Sequence, residues 1–474
     1  MPFSRRQILA GTLGAISLPA LAASKLSVEP IRDLVIVGAG AAGLTAACLA
    51  AEQGVKRILI LESEPLIGGS SLICGGFWAV SGTRLQQNLG VSDNDAAFFD
   101  DILEVGAHQN DPSLVRAFIE NNRAQYDWVN RKGVLAQTLA PGAGTLRAHV
   151  FDARQLIARL YRLTQNYGVE IRTGKRVRNI VTDSEGRGVR GVETDSAFFP
   201  ARAVLLACGG FSRNKAMLTK YSPQMRFVST IAAQGCRGDG IIMAQKLGAG
   251  LADMQWLQAS YAFLQNPTTI ADMTFVNYHG GIIVNKEGRR FVDESLPYKL
   301  IAREVLKQSS ARSFIVFDER IRRISERQPI DQRQWFRVPM ASASTLAQAA
   351  PAYGIDAQTL TQTVANYNRA VLRGEDAHRG PISVNGGRLL CIEQPPLHIL
   401  PVTLCLLGTY CGIKINARAQ VLREDNKPIP RLWAAGEVTG GFHGASFIMG
   451  TAFGKAQTFA RIAALDIVQT LREM

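Results

Sequence analysis

The segment from Asp33 to Glu62 constrains this chain more than any other. Leu34 to Val37 is an apolar run of strand length, and Gly38-Ala-Gly40-Ala-Ala-Gly43 follows it without a gap. Leu44 to Gln53 is Ala-rich and helical in pattern, Gly54 stops it, and Arg57 to Leu61 supplies a second strand ending on Glu62. Each glycine has a mechanical reason. Gly38 allows a tight turn, Gly40 lets backbone approach a pyrophosphate, and Gly43 permits close packing of helix on strand. The helix N-terminus then faces phosphates, and an acid about 20 residues past the loop reaches a ribose hydroxyl. A dinucleotide-binding βαβ unit is expected, and with it an α/β fold of Rossmann type.

At 474 residues the chain exceeds the roughly 250–300 that one core supports, so two domains are expected. It is 47% apolar and 19% charged, which excludes a disordered or fibrous chain. Lys and Arg exceed Asp and Glu to give a net charge of +14. The basic residues are dispersed, and the densest pieces, Arg289-Arg290 and Arg320 to Arg323, are short. That pattern speaks against nucleic acid and for a solvated basic surface, or docking to an anionic redox partner or membrane face. Seven cysteines (Cys48, Cys74, Cys208, Cys236, Cys391, Cys405, Cys411) make no even framework, which argues against disulfide staples. The six histidines lack metal-ligand spacing, and no metal site is expected.

Residues 1–30 read as an address. Arg5-Arg6 is a charged start, Ile8 to Leu18 an apolar run broken by Gly11 and Gly14, and Ala20 and Ala22 suit a cleavage site. The run falls short of the roughly 20 apolar residues a membrane span needs. No integral membrane segment is expected. The stretch resembles a twin-arginine signal, which implies a periplasmic protein exported after folding, with its thiols reduced when the chain folds.

Further segments choose the cofactor. Gly68-Gly69-Ser70-Ser71 and Gly75-Gly76 offer small residues and hydroxyls right after the second strand. Ala203 to Cys208 is another apolar strand, ending in Gly209-Gly210-Phe211. Leu432-Trp-Ala-Ala-Gly436-Glu437 is a late strand leading into Gly440-Gly441, then a helix from about Thr451 to Leu471. A nicotinamide enzyme needs no such returning segment.

With Ala207-Cys208-Gly209-Gly210-Phe211-Ser212-Arg213-Asn214, Arg237-Gly238-Asp239-Gly240, the stretch Ile283 to Phe291, and Ala435 to Gly441, the chain resembles a flavoprotein superfamily. Its members include fumarate reductase, urocanate reductase and 3-ketosteroid Δ1-dehydrogenase. The resemblance runs from about Asp33 to the C-terminus. It implies FAD, held by Ala42, Glu62, Ser70, Ser71, Gly76, Val177, Asp239, Glu437, Ala452 and Phe453, alongside Gly38, Gly40, Gly43 and Gly69. No Cys or His sits in a recognisable flavinylation context, so the FAD is expected to be non-covalent. The resemblance also implies a Rossmann-like FAD-binding domain over 31–255 and 409–474, with an α+β capping domain, 256–408, inserted between. Within that insert, Leu346 to Leu372 reads as one long helix-like stretch.

On the substrate side the chain departs from the fumarate pattern. The family's proton-donating arginine falls on Tyr298, its carboxylate-binding arginine on Phe447, and a histidine on Gly408. Ser295-Leu296-Pro297-Tyr298 and Leu407-Gly408-Thr409 resemble the 3-ketosteroid dehydrogenase branch, which implies Tyr298 as the proton-transferring residue. That branch's ketone-polarising tyrosine falls on Ser446. Trp78, Tyr261, Tyr410 and Phe447 would line an aromatic pocket for an apolar carbonyl substrate, with the Gly450 N–H facing the carbonyl. A buried phenol needs a nearby positive charge or donor to work as a base. The expected reaction is Cα–Cβ desaturation or its reverse, coupled to a periplasmic electron carrier. A fumarate- or urocanate-reductase-like enoate reductase and a flavin electron-transfer subunit stand as alternatives.

Overall fold

The computed structural model describes residues 26–142, 145–186, 188–257, 259–309, 311–327, 340–375 and 389–474. The Arg5-Arg6 pair and the Ala20–Ala22 cleavage site lie outside the described residues. Ser27–Val28, the end of the stretch read as an address, forms a short parallel strand beside Ala197–Phe198.

The βαβ unit folds as its spacing predicts. Arg32–Val37 pairs in parallel with Ile58–Leu61, Leu34 opposite Ile58 and Val37 opposite Leu61. Leu34, Val35, Ile36, Leu59 and Ile60 are fully buried, because a parallel strand has both faces covered by other elements. Burying each such side chain contributes roughly 1.5–3 kcal/mol. The full order of the main path is Gln420–Leu422, Pro428–Ala434, Ala197–Leu206, Arg32–Val37, Ile58–Leu61, Glu170–Arg172. All are parallel except the first. Strands from early and late in the chain, Arg32–Val37 and Pro428–Ala434, thus flank Ala197–Leu206 in one sheet. The helix Ala41–Glu52 is buried almost throughout and packs against the final helix Thr451–Glu473, where Thr45 Oγ1 donates to Gln457 Oε1 at 2.9 Å. Alanines let the two helices approach.

A second sheet is organised around the ten-residue strand Leu397–Leu406. Ser260–Phe263, Ser313–Asp318 and Ala341–Ala343 pair with it antiparallel, Ser229–Thr230 in parallel, and Ile282–Val284 extends it beyond Ser313–Asp318. The helix Tyr298–Leu306 packs beside Ser260–Phe263. The stretch Leu346 to Leu372 is not one helix. It divides into Leu346–Ala349, a 3₁₀ turn Ala350–Tyr353 and the helix Ala357–Arg373. Pro351 and Gly354, the latter at φ +65°, interrupt it, since Pro cannot continue the backbone ladder and Gly takes the left-handed turn.

Candidate active site

One cavity of about 1290 Å³ runs from the glycine loop of the first sheet to Met273, Tyr278, Tyr298 and Leu407, which lie beside the second. At its nucleotide end the chain leaves Arg32–Val37 through Gly38 at φ +108°, and a Cβ there would sit 2.5 Å from the Ala207 carbonyl oxygen. Only glycine fits. A Cβ on Gly43 would run into the Gly38 carbonyl, so Gly43 serves helix–strand packing and does not line the cavity. The other thirteen residues expected to hold the cofactor all line it.

The polar groups around this end are already ordered. Glu62 Oε2 accepts the Ala39 N–H at 2.8 Å, while Oε1 accepts from Ser63 Oγ at 3.1 Å and the Glu64 N–H at 2.9 Å. Ser71 Oγ accepts the Ala41 N–H at 3.2 Å, and Ser70 Oγ accepts the Ala233 N–H at 3.1 Å. Arg176 grips Asp239 with two bonds of 2.7 and 2.6 Å. Glu437 accepts from the Thr409 N–H at 2.8 Å, and burial raises its pKa above the usual carboxylate range. Lys455 Nζ donates to the Thr439 carbonyl at 2.7 Å, and burial lowers its pKa to about 8. The empty space left by glycines and the small, hydroxylated wall fit a dinucleotide with a flavin.

The far end is aromatic. Tyr298, Tyr410, Phe447 and Gly450 line it as expected. Tyr298 meets Phe447 edge-on with centroids 6.0 Å apart, and Tyr410 lies 4.5 Å from Phe447. Burial pushes the Tyr298 and Tyr410 phenols above their ordinary value. Tyr410 sits at φ +54°, a left-handed conformation rare for an aromatic residue and typical of functional loops. A Cβ on Gly408 would come within 3.0 Å of Glu437 Oε1 and 3.1 Å of Tyr410 Cζ, so a side chain at this position would crowd both.

Three expected pocket residues do not reach the cavity. Trp78 is fully buried, donates from Nε1 to Asn122 Oδ1 at 2.7 Å, and packs its ring on Phe453. It is core. Tyr261 is fully buried within the strand Ser260–Phe263 and belongs to the packing of the second sheet. Ser446 opens instead onto a smaller chamber behind Tyr410 and Phe447.

Other residues stand at the site unforeseen. Lys299, fully buried, places its ammonium 4.7 Å from the Tyr410 ring centroid and 5.3 Å from that of Phe447. Burial lowers its pKa to about 7, opposed by Cys405 and Glu437. His443 lines the cavity, and burial holds its pKa well below the usual imidazole value. His279 lines it too, with Nδ1 2.8 Å from Ser325 Oγ, and burial lowers its pKa to about 4. Among the described residues, no His, Cys, Asp and Glu cluster could hold a metal, no helix is long and apolar enough to cross a membrane, and all seven cysteines are free.

A parallel-sheet α/β fold with a glycine-lined cavity of this length defines a flavoprotein. The family model described as FAD binding domain matches residues 33–452; the chain belongs to that family and is an FAD-dependent oxidoreductase. It is similar to a fumarate reductase (cytochrome) of Shewanella frigidimarina, 32% identical over 448 residues that cover 91% of this chain and 76% of that one. A 3-oxosteroid 1-dehydrogenase of Mycobacterium tuberculosis is 26% identical, covering 92% of this chain and 98% of its own. Among solved structures, the open conformation of a flavocytochrome c3 fumarate reductase superposes with a TM-score of 0.76 at 28% identity, over 94% of this chain and 79% of that one.

Proposed function

We propose that this enzyme moves hydrogen across a Cα–Cβ bond of an apolar carbonyl compound, in the manner of 3-ketosteroid dehydrogenases. The observation that carries the reading is the reacting end of the cavity. Tyr298, Tyr410 and Phe447 close it, and among the described residues the arginine that lines the cavity, Arg176, is held by Asp239 at the nucleotide end. A small dicarboxylate would lose its hydration there without a bidentate partner, which is costly. FAD, when bound, supplies the hydride acceptor or donor. Tyr298 exchanges the proton at Cα, and because burial keeps its phenol neutral it begins as a proton donor. Tyr410 and Phe447 hold the apolar body and exclude water. Gly450, at the head of the helix Thr451–Glu473, offers its N–H to the substrate carbonyl, with the helix N-terminus favouring negative charge nearby.

Residues 31–255 and 409–474 would hold the cofactor, and 256–408 would form the cap over the substrate. The Arg5-Arg6 segment supports export by the twin-arginine route to the periplasm, and the +14 charge favours docking of an acidic electron carrier. A second reading, an enoate reductase, is favoured by the 32% identity to the Shewanella enzyme. A panel of cyclic enones, saturated cyclic ketones and enoates decides between them. The flavin of the anaerobic holoenzyme should bleach with a ketone or reoxidise with an enone. Fastest turnover with fumarate would overturn the apolar reading.

A further inference from the structure

Behind the aromatic wall lies a second, much smaller space. Its volume is about 10 Å³, close to the room one water molecule needs. Tyr410, His443 and Phe447 line both spaces and are the partition between them. On the chamber's own lining, Trp256 Nε1, His443 Nε2 and Ser446 Oγ are buried and find no hydrogen-bond partner among the described residues. Three such orphans around one hole are exceptional, because buried polar atoms are nearly always paired. Lys299 lines the same chamber.

We propose that the chamber holds one ordered water joining Lys299 to His443, and that Lys299 is the positioning residue that stores the proton exchanged in catalysis. This rests on the Cα–Cβ reaction proposed above. The donor inventory closes around such a water. The indole N–H and the ammonium can only donate, so the water accepts twice, and it donates to His443 Nε2 and Ser446 Oγ. The imidazole proton then sits on Nδ1. The reduction adds hydride to Cβ and a proton to Cα, and the proton leaves Tyr298 as phenolate. Lys299 gives one proton to the water, the water gives one to His443 Nε2, and the imidazole releases its other proton to the phenols of Tyr410 and Tyr298, which feel one another's charge. The ammonium becomes an amine and the phenolate a phenol. Desaturation runs the chain backwards.

The charged and titratable groups around Lys299 and the chamber are Cys405 on the strand Leu397–Leu406, Glu437, Tyr410, His443, Asp253 and Lys455. Asp253 is already committed to the N–H groups of Gly441 at 2.8 Å and Gly444 at 3.3 Å. Lys455, whose pKa burial lowers to about 8, donates to the Thr439 carbonyl at 2.7 Å and does not line the chamber, which leaves Lys299 as the chamber group whose protonation changes near neutral pH.

The test compares wild-type holoenzyme with Lys299→Met, Lys299→Arg and Trp256→Phe in two measurements. The first needs no substrate. A lysine whose folded-state pKa lies near 7 against 10.5 unfolded makes the unfolded chain bind more protons between those values, so Tm should rise with pH across that window. Lys455 adds a rise of its own above about 8, so Lys299→Met should flatten the part between about 7 and 8. The second is single-turnover flavin reoxidation by whichever panel enone reacts. The wild-type rate should fall as pH passes about 7. Lys299→Met should be pH-independent and at least about tenfold slower at pH 6. Lys299→Arg should stay slow, since arginine keeps the charge but does not release a proton. Trp256→Phe should slow the step while leaving the Tm rise intact. A Lys299→Met protein with an unchanged Tm–pH curve, or one that keeps the rate bend, overturns the proposal. If no panel compound reacts, the functional reading fails, and the Tm comparison alone decides this one.

Discussion

The backbone N–H of Ala39 donates to Oε2 of Glu62 at 2.8 Å, across 23 positions of sequence. The acid at the end of the second strand therefore holds the glycine loop in shape. With Oε1 occupied by Ser63 and Glu64, the carboxylate is oriented before any ribose arrives, which is how a rigid site limits the entropy lost on binding.

Glu62→Ala removes that brace and strands the Ala39 N–H in a buried site. FAD affinity should weaken by about 1–3 kcal/mol, the usual cost of an unsatisfied buried donor. Titration of apoprotein with FAD, followed by flavin fluorescence quenching, reads it directly. An unchanged dissociation constant would show that the loop is held by other contacts.

Tyr298→Phe keeps the ring that meets Phe447 and removes only the hydroxyl. The flavin spectrum and Tm should stay as in the wild type, while turnover falls by about 10²–10⁴. Retention of more than about a third of the activity, with chemistry limiting, would remove Tyr298 from proton transfer and point to Tyr410.

Acid precipitation should leave the yellow colour in the supernatant. Of the cavity-lining thiols, Cys236 is buried and Cys74 and Cys208 are half-buried, and desolvation raises their pKa values to about 12, 11 and 12. They are poor nucleophiles at neutral pH. Flavin found in the pellet contradicts non-covalent binding.

Arg5-Arg6 exchanged for Lys-Lys should strand active, flavin-loaded enzyme in the cytoplasm. Fractionation and flavin absorbance measure this. Full export of the double variant would refute the twin-arginine assignment.

The features readable in sequence were those made locally. The glycine loop, its two strands and the Ala-rich helix depend on spacing within thirty-odd residues, and they fold as expected. The break at Pro351 and Gly354 also lies in plain view, since both residues are helix breakers. Trp78 and Tyr261 illustrate a different failure. An aromatic residue can face a ligand or the core, and only the assembled sheets decide which. Lys299 went unnoticed because a lysine normally lies on the surface. Its position three residues before Ala302 and two before Ile301, on the buried side of Tyr298–Leu306, was the available signal. His443 had none, since tertiary packing alone brings it to the partition.

The interleaving of the first sheet bears on how the protein is made. Arg32–Val37 emerges early from the ribosome, yet the strand Pro428–Ala434 and the helix carrying Ala452 and Phe453 emerge last. Until they arrive, one wall of the cofactor cavity is missing and the face of Ala41–Glu52 that packs on the helix Thr451–Glu473 is uncovered. The complete cofactor cavity therefore exists only once Ala452 and Phe453 have been made. Any product of interrupted synthesis announces itself by an open, apolar flank that chaperones and proteases recognise.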